Sequence, residues 1–155
     1  MLTPTQAATL KTNITANLAT VFNGRTIQQW LDIYDLETIA AFYNSPQSPQ
    51  VDLWRPDIKV SEVSPQIVMS DYVALTAIRQ NGYLALTQGD IIDATKANIR
   101  AGFGSIFGAA SVTTSNLTAL AKKPATKFEN LYTVSNVCSL YNYVVGYQDI
   151  LQAIQ

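Results

Sequence analysis

The stretch Ala40–Pro49, with the sequence AAFYNSPQSP, decides how this chain is divided. Its alanine- and aromatic-rich start is typical of the end of a helix. The residue before a proline is pushed out of the α region and proline cannot continue a helix, so the helix must end near Asn44. Pro46, Pro49 and Pro56 are three prolines within eleven residues. They predict a stiff connector that has few backbone donors.

Apolar residues recur at helical spacing on both sides of this connector. Capping residues and prolines then indicate where the helices begin. Five helices are predicted, with their starts at Thr3, at Thr26, at Ser70 or Thr76, at Asp93, and at Thr114 or Ser115. The sequence leaves open a break of the second helix near Asp35. Because Pro124 lies inside the last helix, that helix should kink or split. The predicted fold class is mainly α, a bundle of about five helices with a proline-rich connector.

The end of the chain has a different pattern. Residues 134–145 are rich in β-branched and aromatic residues and favour extended structure, with a small β-hairpin as an option. Gly146 then precedes a short terminal helix. We therefore expect a helical core domain over 1–133, which includes the connector over 45–69, and an extended C-terminal arm over 134–155. A chain cut at Val134 should keep a folded helical core.

The composition is poor in charge. Charged residues make up 14% of the 155 residues, against roughly 25% in typical soluble domains. The chain also contains eight tyrosines and two tryptophans, which are residue types enriched at protein interfaces. Such a chain either has a large core for its size or hides part of its surface in an assembly.

Charge and hydropathy exclude several classes of partner. Ten basic and eleven acidic residues give a net charge of −1, and no basic cluster stands out, so nucleic-acid binding is not expected. The sequence has no apolar run long enough for a transmembrane helix and no pattern of a signal peptide, so we expect no membrane and maturation in the cytoplasm. Cys138 is the only cysteine, so no internal disulfide can form.

Catalytic chemistry is not indicated. Histidine is absent, which removes histidine-dependent catalysis and histidine-bearing metal sites. Gly102–Gly108 has glycines without the spacing of a dinucleotide fingerprint, so close helix packing is the favoured interpretation. Asp90 and Asp93 lack a third ligand, and helix capping explains Asp93. We expect no enzyme, no metal and no cofactor.

Trp54-Arg55 follows the connector and allows two interpretations. Tryptophan and arginine are the residue types most enriched among interface hot spots. Alternatively, Trp54 fills the core of its own domain and Arg55 lies over it. The sequence leaves both open.

Short blocks in a constant order resemble a family of small tailed-bacteriophage virion structural proteins. Members carry an Ala-Ala-x-Tyr-Asn-x-Pro-x-Ser-Pro run followed by Trp-Arg, as in Ala40–Arg55. Another family motif, Asp/Asn-Pro-Ser-Lys-x-Asn-Val-Arg-Ala-Gly, is similar to Asp93–Gly102. The remaining blocks that resemble the family are Leu2–Lys11, Lys122–Leu131 and Gly146–Asp149. The chain departs from the family at Tyr83-Leu84, where a tryptophan-rich helix is expected, and at Pro124.

The resemblance implies a non-enzymatic head–tail connector or adaptor. Such proteins form a homo-oligomeric ring, often twelvefold, between the portal protein and the downstream neck and tail proteins. The implied location is the neck of the virion, after assembly in the host cytoplasm. A capsid decoration protein or a tail-associated virion protein is the alternative, and a small phage regulatory binding protein is a weaker one.

A ring closed by one repeated contact needs two complementary patches on each subunit. We expect the connector to form one patch and residues 134–155 the other. The candidate interface residues are Tyr43, Pro46, Pro49, Trp54, Arg55, Tyr141, Tyr143 and Tyr147.

Overall fold

The computed structural model describes residues 1–155, and they form two compact units. Unit 1 comprises Met1–Val51 and Pro124–Gln155, and unit 2 comprises Asp52–Lys123. The chain therefore leaves unit 1 after Val51 and returns to it at Pro124. Each unit has a hydrophobic core of its own.

The helices and strands are short. The ten α-helices are α1 (Pro4–Ala16), α2 (Ile27–Asp32), α3 (Leu36–Asn44), α4 (Val60–Val63), α5 (Met69–Val73), α6 (Ala77–Leu86), α7 (Ala97–Phe107), α8 (Val112–Leu120), α9 (Lys127–Leu131) and α10 (Tyr147–Ile154). The eight strands are β1 (Val21–Phe22), β2 (Arg25–Thr26), β3 (Asp52–Trp54), β4 (Ile58–Lys59), β5 (Ile91–Ile92), β6 (Lys122–Pro124), β7 (Thr133–Val134) and β8 (Val137–Cys138). A 3₁₀ turn at Ser64–Gln66 follows α4. None of the helices has the length and apolar character needed to cross a membrane.

The prediction of a mainly α bundle of about five helices is wrong. Helices hold 54% of the residues and strands 13%, and the strands form four two-stranded sheets, so the fold is mixed α/β. The predicted long helices are interrupted by residues that leave the helical region. The second one breaks at Tyr34, whose φ is +59°, and α3 starts only after Asp35. Pro124 lies in β6 and separates α8 from α9.

Several local predictions about helix ends are confirmed. Thr3 and Thr26 are the N-caps of α1 and α2, and each hydroxyl accepts a hydrogen bond from the backbone N–H three residues later. The residues at those positions, Gln6 and Gln29, accept a hydrogen bond from the cap N–H in return. These reciprocal pairs are capping boxes, which satisfy two donors that a helix start leaves open. The end of α3 at Asn44 is also confirmed.

Unit 1 is organised around its longest helix. Ala7, Leu10 and Ile14 recur at spacings of three and four, so they lie on one face of α1 and are buried. That face packs against α10, and α10 also packs against α3. Just before α2 in the chain, β1 and β2 form a hairpin. Its two-residue turn, Asn23-Gly24, has positive φ at both residues, which is the conformation that two-residue hairpin turns favour.

Residues 134–155 pack within unit 1. After the β7–β8 hairpin, α10 buries Ile150 and Ala153 in the core of the unit. The side chain of Asn44 also pairs with the backbone of Val145. Its Nδ2 donates to the carbonyl oxygen at 2.8 Å, and its Oδ1 accepts from the N–H at 2.9 Å. The segment predicted as an extended arm is thus anchored to the end of α3.

Unit 2 is built on α7, which packs against α6 on one side and α8 on the other. Gly102 permits the close approach of α6, because a Cβ there would lie 3.0 Å from Leu86 Cδ1. Gly108 ends α7 with a φ of +87°, a conformation that favours glycine. The close-packing interpretation of this glycine-containing stretch is confirmed at Gly102. The core is completed by the β4–β5 pair and by side chains such as Ile58, Phe103 and Leu117.

Candidate functional site

Trp54 is held in place within unit 2. It ends β3, and its half-buried indole lines an apolar cavity of about 70 Å³. Two cations lie near its ring, with Arg100 Cζ at 4.4 Å and Lys122 Nζ at 5.0 Å from the centroid. Arg100 is itself anchored, because its Nη1 donates to the carbonyl oxygens of Ala94 and Thr95. The indole therefore has defined neighbours on its own unit, and part of the ring remains exposed.

Arg55 also has its partners within unit 2. Its Nη2 lies 3.2 Å from both carboxylate oxygens of Glu62, and its Nη1 donates to the Leu120 carbonyl at 3.3 Å. Its Nε lies 3.4 Å from Asp57 Oδ1, and 21% of the side chain is exposed. The backbone N–H of Lys59 and, after it, Arg55 lower the pKa of Glu62. Arg55 thus joins β3 to α4 and to the end of α8.

We expect Arg55→Met to destabilise unit 2, because the Leu120 carbonyl and the Glu62 carboxylate each lose the guanidinium as a donor. The lost hydrogen bond to the carbonyl should lower the free energy of unfolding by about 1 kcal/mol. Urea unfolding followed by tryptophan fluorescence measures this change. Arg79→Met is the matched control, because Arg79 is exposed on α6. Equal stability of the two variants would show that the guanidinium contacts do not support the fold.

Tyr43 of α3 and the two prolines that follow it in the connector occupy different environments in unit 1. Tyr43 is 1% exposed, and its hydroxyl donates to Asn13 Oδ1 at 3.0 Å. Burial raises the pKa of Tyr43 well above its usual value. Pro46 and Pro49 are exposed, and Pro46 forms an isolated antiparallel bridge with Thr126. The two prolines lie at the surface, whereas the Tyr43 ring belongs to the core.

The three tyrosines near the end of the chain also have defined positions. Tyr143 donates from its hydroxyl to Asp149 Oδ1 at 2.8 Å. Burial, followed by this contact with Asp149, raises the pKa of Tyr143 to about 12. Tyr147 meets Tyr34 edge-on, with 6.3 Å between ring centroids. Tyr141 is half-buried. Tyr147 thus shares a surface with an exposed aromatic residue, since Tyr34 is 55% exposed.

The sequence did not predict an exposed apolar face on α5 and α6. Met69 and Val73 on α5 are 69% and 70% exposed, and Ile78 and Leu84 on α6 are 84% and 54% exposed. Neither helix contributes a buried residue. We call these four residues the α5–α6 face. Their exposure shows that the rest of unit 2 does not cover these side chains.

A sequence signal for this face exists in α6. Tyr83 and Leu86 lie on the side that packs against the core of unit 2. An α-helix turns about 100° per residue, so Ile78 and Leu84 lie on the opposite side of α6. The other residues on that arc are also exposed, and they are Ala77, Asn81 and Ala85. No charged residue interrupts that arc. Apolar residues on this arc, in addition to those on the core side, are the signal that α6 could be covered on more than one side.

Asp93, one of the two acidic residues considered as a catalytic or metal pair, has a local role. Asp93 Oδ1 accepts hydrogen bonds from the backbone N–H and the hydroxyl of Thr95, and Asp93 Oδ2 lies 3.6 Å from Lys96 Nζ. The prediction that Asp93 caps a helix is wrong, because Lys96 is the residue that precedes α7. The structure contains no group of three or more acidic or cysteine side chains arranged to hold a metal ion.

Comparisons with known proteins add no further indication of function. No protein-family model, no curated protein and no solved structure matches this chain. The resemblance to phage virion proteins therefore depends on the short sequence blocks, and the α5–α6 face is an independent observation.

Proposed function

We propose that this protein is a non-enzymatic structural protein of a tailed-bacteriophage virion, a head–tail connector that forms a ring of identical subunits between portal and tail. The family-like sequence blocks suggest the setting. The α5–α6 face is the single observation that carries the proposal of assembly. The proposed partners are further copies of the chain, the portal protein and the neck and tail proteins that follow it.

The α5–α6 face supports assembly because of its exposed apolar area. Burying a side chain such as leucine, isoleucine or methionine contributes about 1.5–3 kcal/mol, and a subunit contact that covers all four residues would gain several times that. The small residues Ala77 and Ala85 beside Ile78 would let a neighbouring element approach α6 closely.

A ring also needs a second, different patch on each subunit. Unit 1 offers one in the turn between α2 and α3, where Ile33 is 53% exposed and Tyr34 is 55% exposed. Tyr147 lies beside Tyr34. We call Ile33, Tyr34 and Tyr147 the tyrosine patch. The proposed contact joins the α5–α6 face of one subunit to the tyrosine patch of the next. Tyr43 is not part of it, because its ring is buried.

The test is the oligomeric state of an Ile78→Asp variant. An uncompensated carboxylate buried in the contact costs several kcal/mol, so we expect association to weaken by about 100-fold or more. Analytical ultracentrifugation and native mass spectrometry over a range of concentrations measure this change. The fold should persist, since Ile78 is 84% exposed, and circular dichroism checks it. Asn98→Asp adds the same charge at an exposed position of α7 and serves as the control.

Two results would contradict the proposal. One is a wild-type chain that stays monomeric both alone and with the portal protein. The other is an Ile78→Asp variant that assembles as well as the Asn98→Asp control. The copy number in purified virions distinguishes a head–tail connector from a capsid decoration protein. The copy number of a head–tail connector matches the symmetry of the neck, whereas that of a decoration protein matches the capsid lattice.

A further inference from the structure

Unit 1 contains a polar cavity of about 360 Å³, within the range of about 300–1,000 Å³ that holds small ligands. Four carboxamide side chains and one ammonium group contribute to its wall. These residues are Asn13 of α1, Asn17 just after α1, Gln47 of the connector, and Lys127 and Asn130 of α9. No acidic residue lines the cavity. Its wall therefore carries a single positive charge.

Lys127 supplies that charge without an acidic partner. Its Nζ donates to Ser45 Oγ at 2.6 Å and to the Pro46 carbonyl at 3.2 Å, and it lies 4.7 Å from the centroid of the Phe42 ring. No carboxylate lies within 4 Å of this ammonium group. Since an ammonium group has three N–H donors, one of them is not used by these two oxygen atoms. Burial also lowers the pKa of Lys127.

The neighbouring amides add further donors. Asn13 Oδ1 accepts hydrogen bonds from the Tyr43 hydroxyl and from Asn17 Nδ2, each at 3.0 Å. Because the oxygen is occupied in this way, the orientation of the Asn13 amide is set, and its Nδ2 is left as a donor. The side chain of Asn130 makes no hydrogen bond within the chain. The cavity thus offers several N–H groups and one cation to a ligand rich in acceptors.

We propose that this cavity binds a carboxylate, with Lys127 and the amide groups of Asn13 and Asn130 as its donors. One ammonium group balances the single charge of a carboxylate, whereas a phosphate dianion would keep an uncompensated charge. The carboxylate belongs either to an acidic side chain of a partner protein or to a free small acid. Both sources present the same group to Lys127. The proposal is independent of ring formation, because no residue that lines the cavity belongs to the α5–α6 face or to the tyrosine patch.

Nuclear magnetic resonance of the ¹⁵N-labelled full chain tests this proposal. The probes are acetate and the peptide acetyl-Ala-Asp-Ala-amide, added at constant ionic strength. Acetamide and the corresponding asparagine peptide are the neutral controls. We expect saturable shifts of the side-chain amide signals of Asn13 and Asn130 with the two carboxylates and not with the neutral compounds. Tighter binding of the peptide would indicate a protein partner, and equal binding would indicate a free acid.

Two variants identify the donors. Lys127→Met should weaken carboxylate binding by about 10-fold or more, because it removes a charge-assisted hydrogen bond. Lys11→Met, at an exposed position of α1, is its matched control and should bind like the wild type. Asn130→Ala removes a side-chain amide that makes no hydrogen bond within the chain. It should weaken carboxylate binding by about 3-fold. Thermal unfolding checks that each variant is folded.

Three outcomes would overturn the proposal. The first is the absence of a saturable shift with either carboxylate. The second is an equal response to acetate and acetamide, which would mean that the cavity admits any small polar molecule. The third is wild-type affinity in both Lys127→Met and Asn130→Ala. None of them bears on ring assembly, which is measured separately.

Discussion

A chain that ends at Thr133 will have no folded unit 1. The deletion removes Val145, Ile150 and Ala153, none of which is more than 2% exposed. Truncating one buried isoleucine to alanine costs about 2–5 kcal/mol, and complete domains are stable by about 5–15 kcal/mol. The deletion also leaves the Asn44 side chain without its two hydrogen bonds to Val145. The sum of these losses exceeds the stability expected of the unit.

Amide spectra and circular dichroism measure the result. The truncated chain should lose the dispersed signals of unit 1 and much of its helical ellipticity. Ile150→Ala is a graded version and should lower the free energy of unfolding by about 2–5 kcal/mol. Val144→Ala should leave it nearly unchanged, because Val144 is 75% exposed. A truncated chain that kept a folded unit 1 would support the helical core over 1–133 that the sequence suggested, and would contradict the packing of α10.

Glu129→Ala will be among the most destabilising single substitutions in unit 1. The carboxylate of Glu129 accepts hydrogen bonds from the backbone N–H of Thr126 at 3.0 Å and of Asn142 at 2.8 Å. The residue is 1% exposed, so water cannot readily replace the lost acceptor. Hydrogen bonds to charged groups contribute about 1.5–3 kcal/mol each, and we expect a loss of about 3 kcal/mol. The same substitution also removes the capping box of α9.

Urea unfolding of matched variants tests this expectation. Glu129→Gln keeps one amide oxygen as an acceptor, so its stability should lie between those of the wild type and Glu129→Ala. Glu37→Ala removes an exposed glutamate from the first turn of α3 and should cost less than about 0.5 kcal/mol. If Glu129→Ala were no more destabilising than Glu37→Ala, the buried carboxylate would not anchor the segment before α10.

The two predictions concern the same feature, which is the way the end of the chain folds back on unit 1. Glu129 on α9 binds the backbone at Asn142, and Tyr143 binds Asp149 at the start of α10. These contacts position Tyr147 beside Tyr34. A loss of folding in this segment would therefore also remove the proposed tyrosine patch. For this reason, Ile78→Asp in unit 2 is the cleaner test of assembly.

The sequence by itself determined the features that depend on neighbouring residues. Thr3 and Thr26 cap helices through residues three positions away, and Pro46 ends α3 at Asn44. Gly108 ends α7, and Gly146 precedes α10. Local sterics and short-range hydrogen bonds govern these features, so a pattern of a few residues is sufficient to predict them.

Only the tertiary structure decided which apolar and polar groups meet. The periodicity of α6 shows apolar residues on two sides, but it cannot show that Tyr83 is covered by the core of unit 2 while Ile78 is exposed. The partners of Arg55 lie up to 65 residues away, and those of Asn44 lie 101 residues away. The polar cavity likewise collects side chains from α1, the connector and α9. Burial and long-range hydrogen bonding depend on the whole folded chain, so no single stretch of sequence contains them.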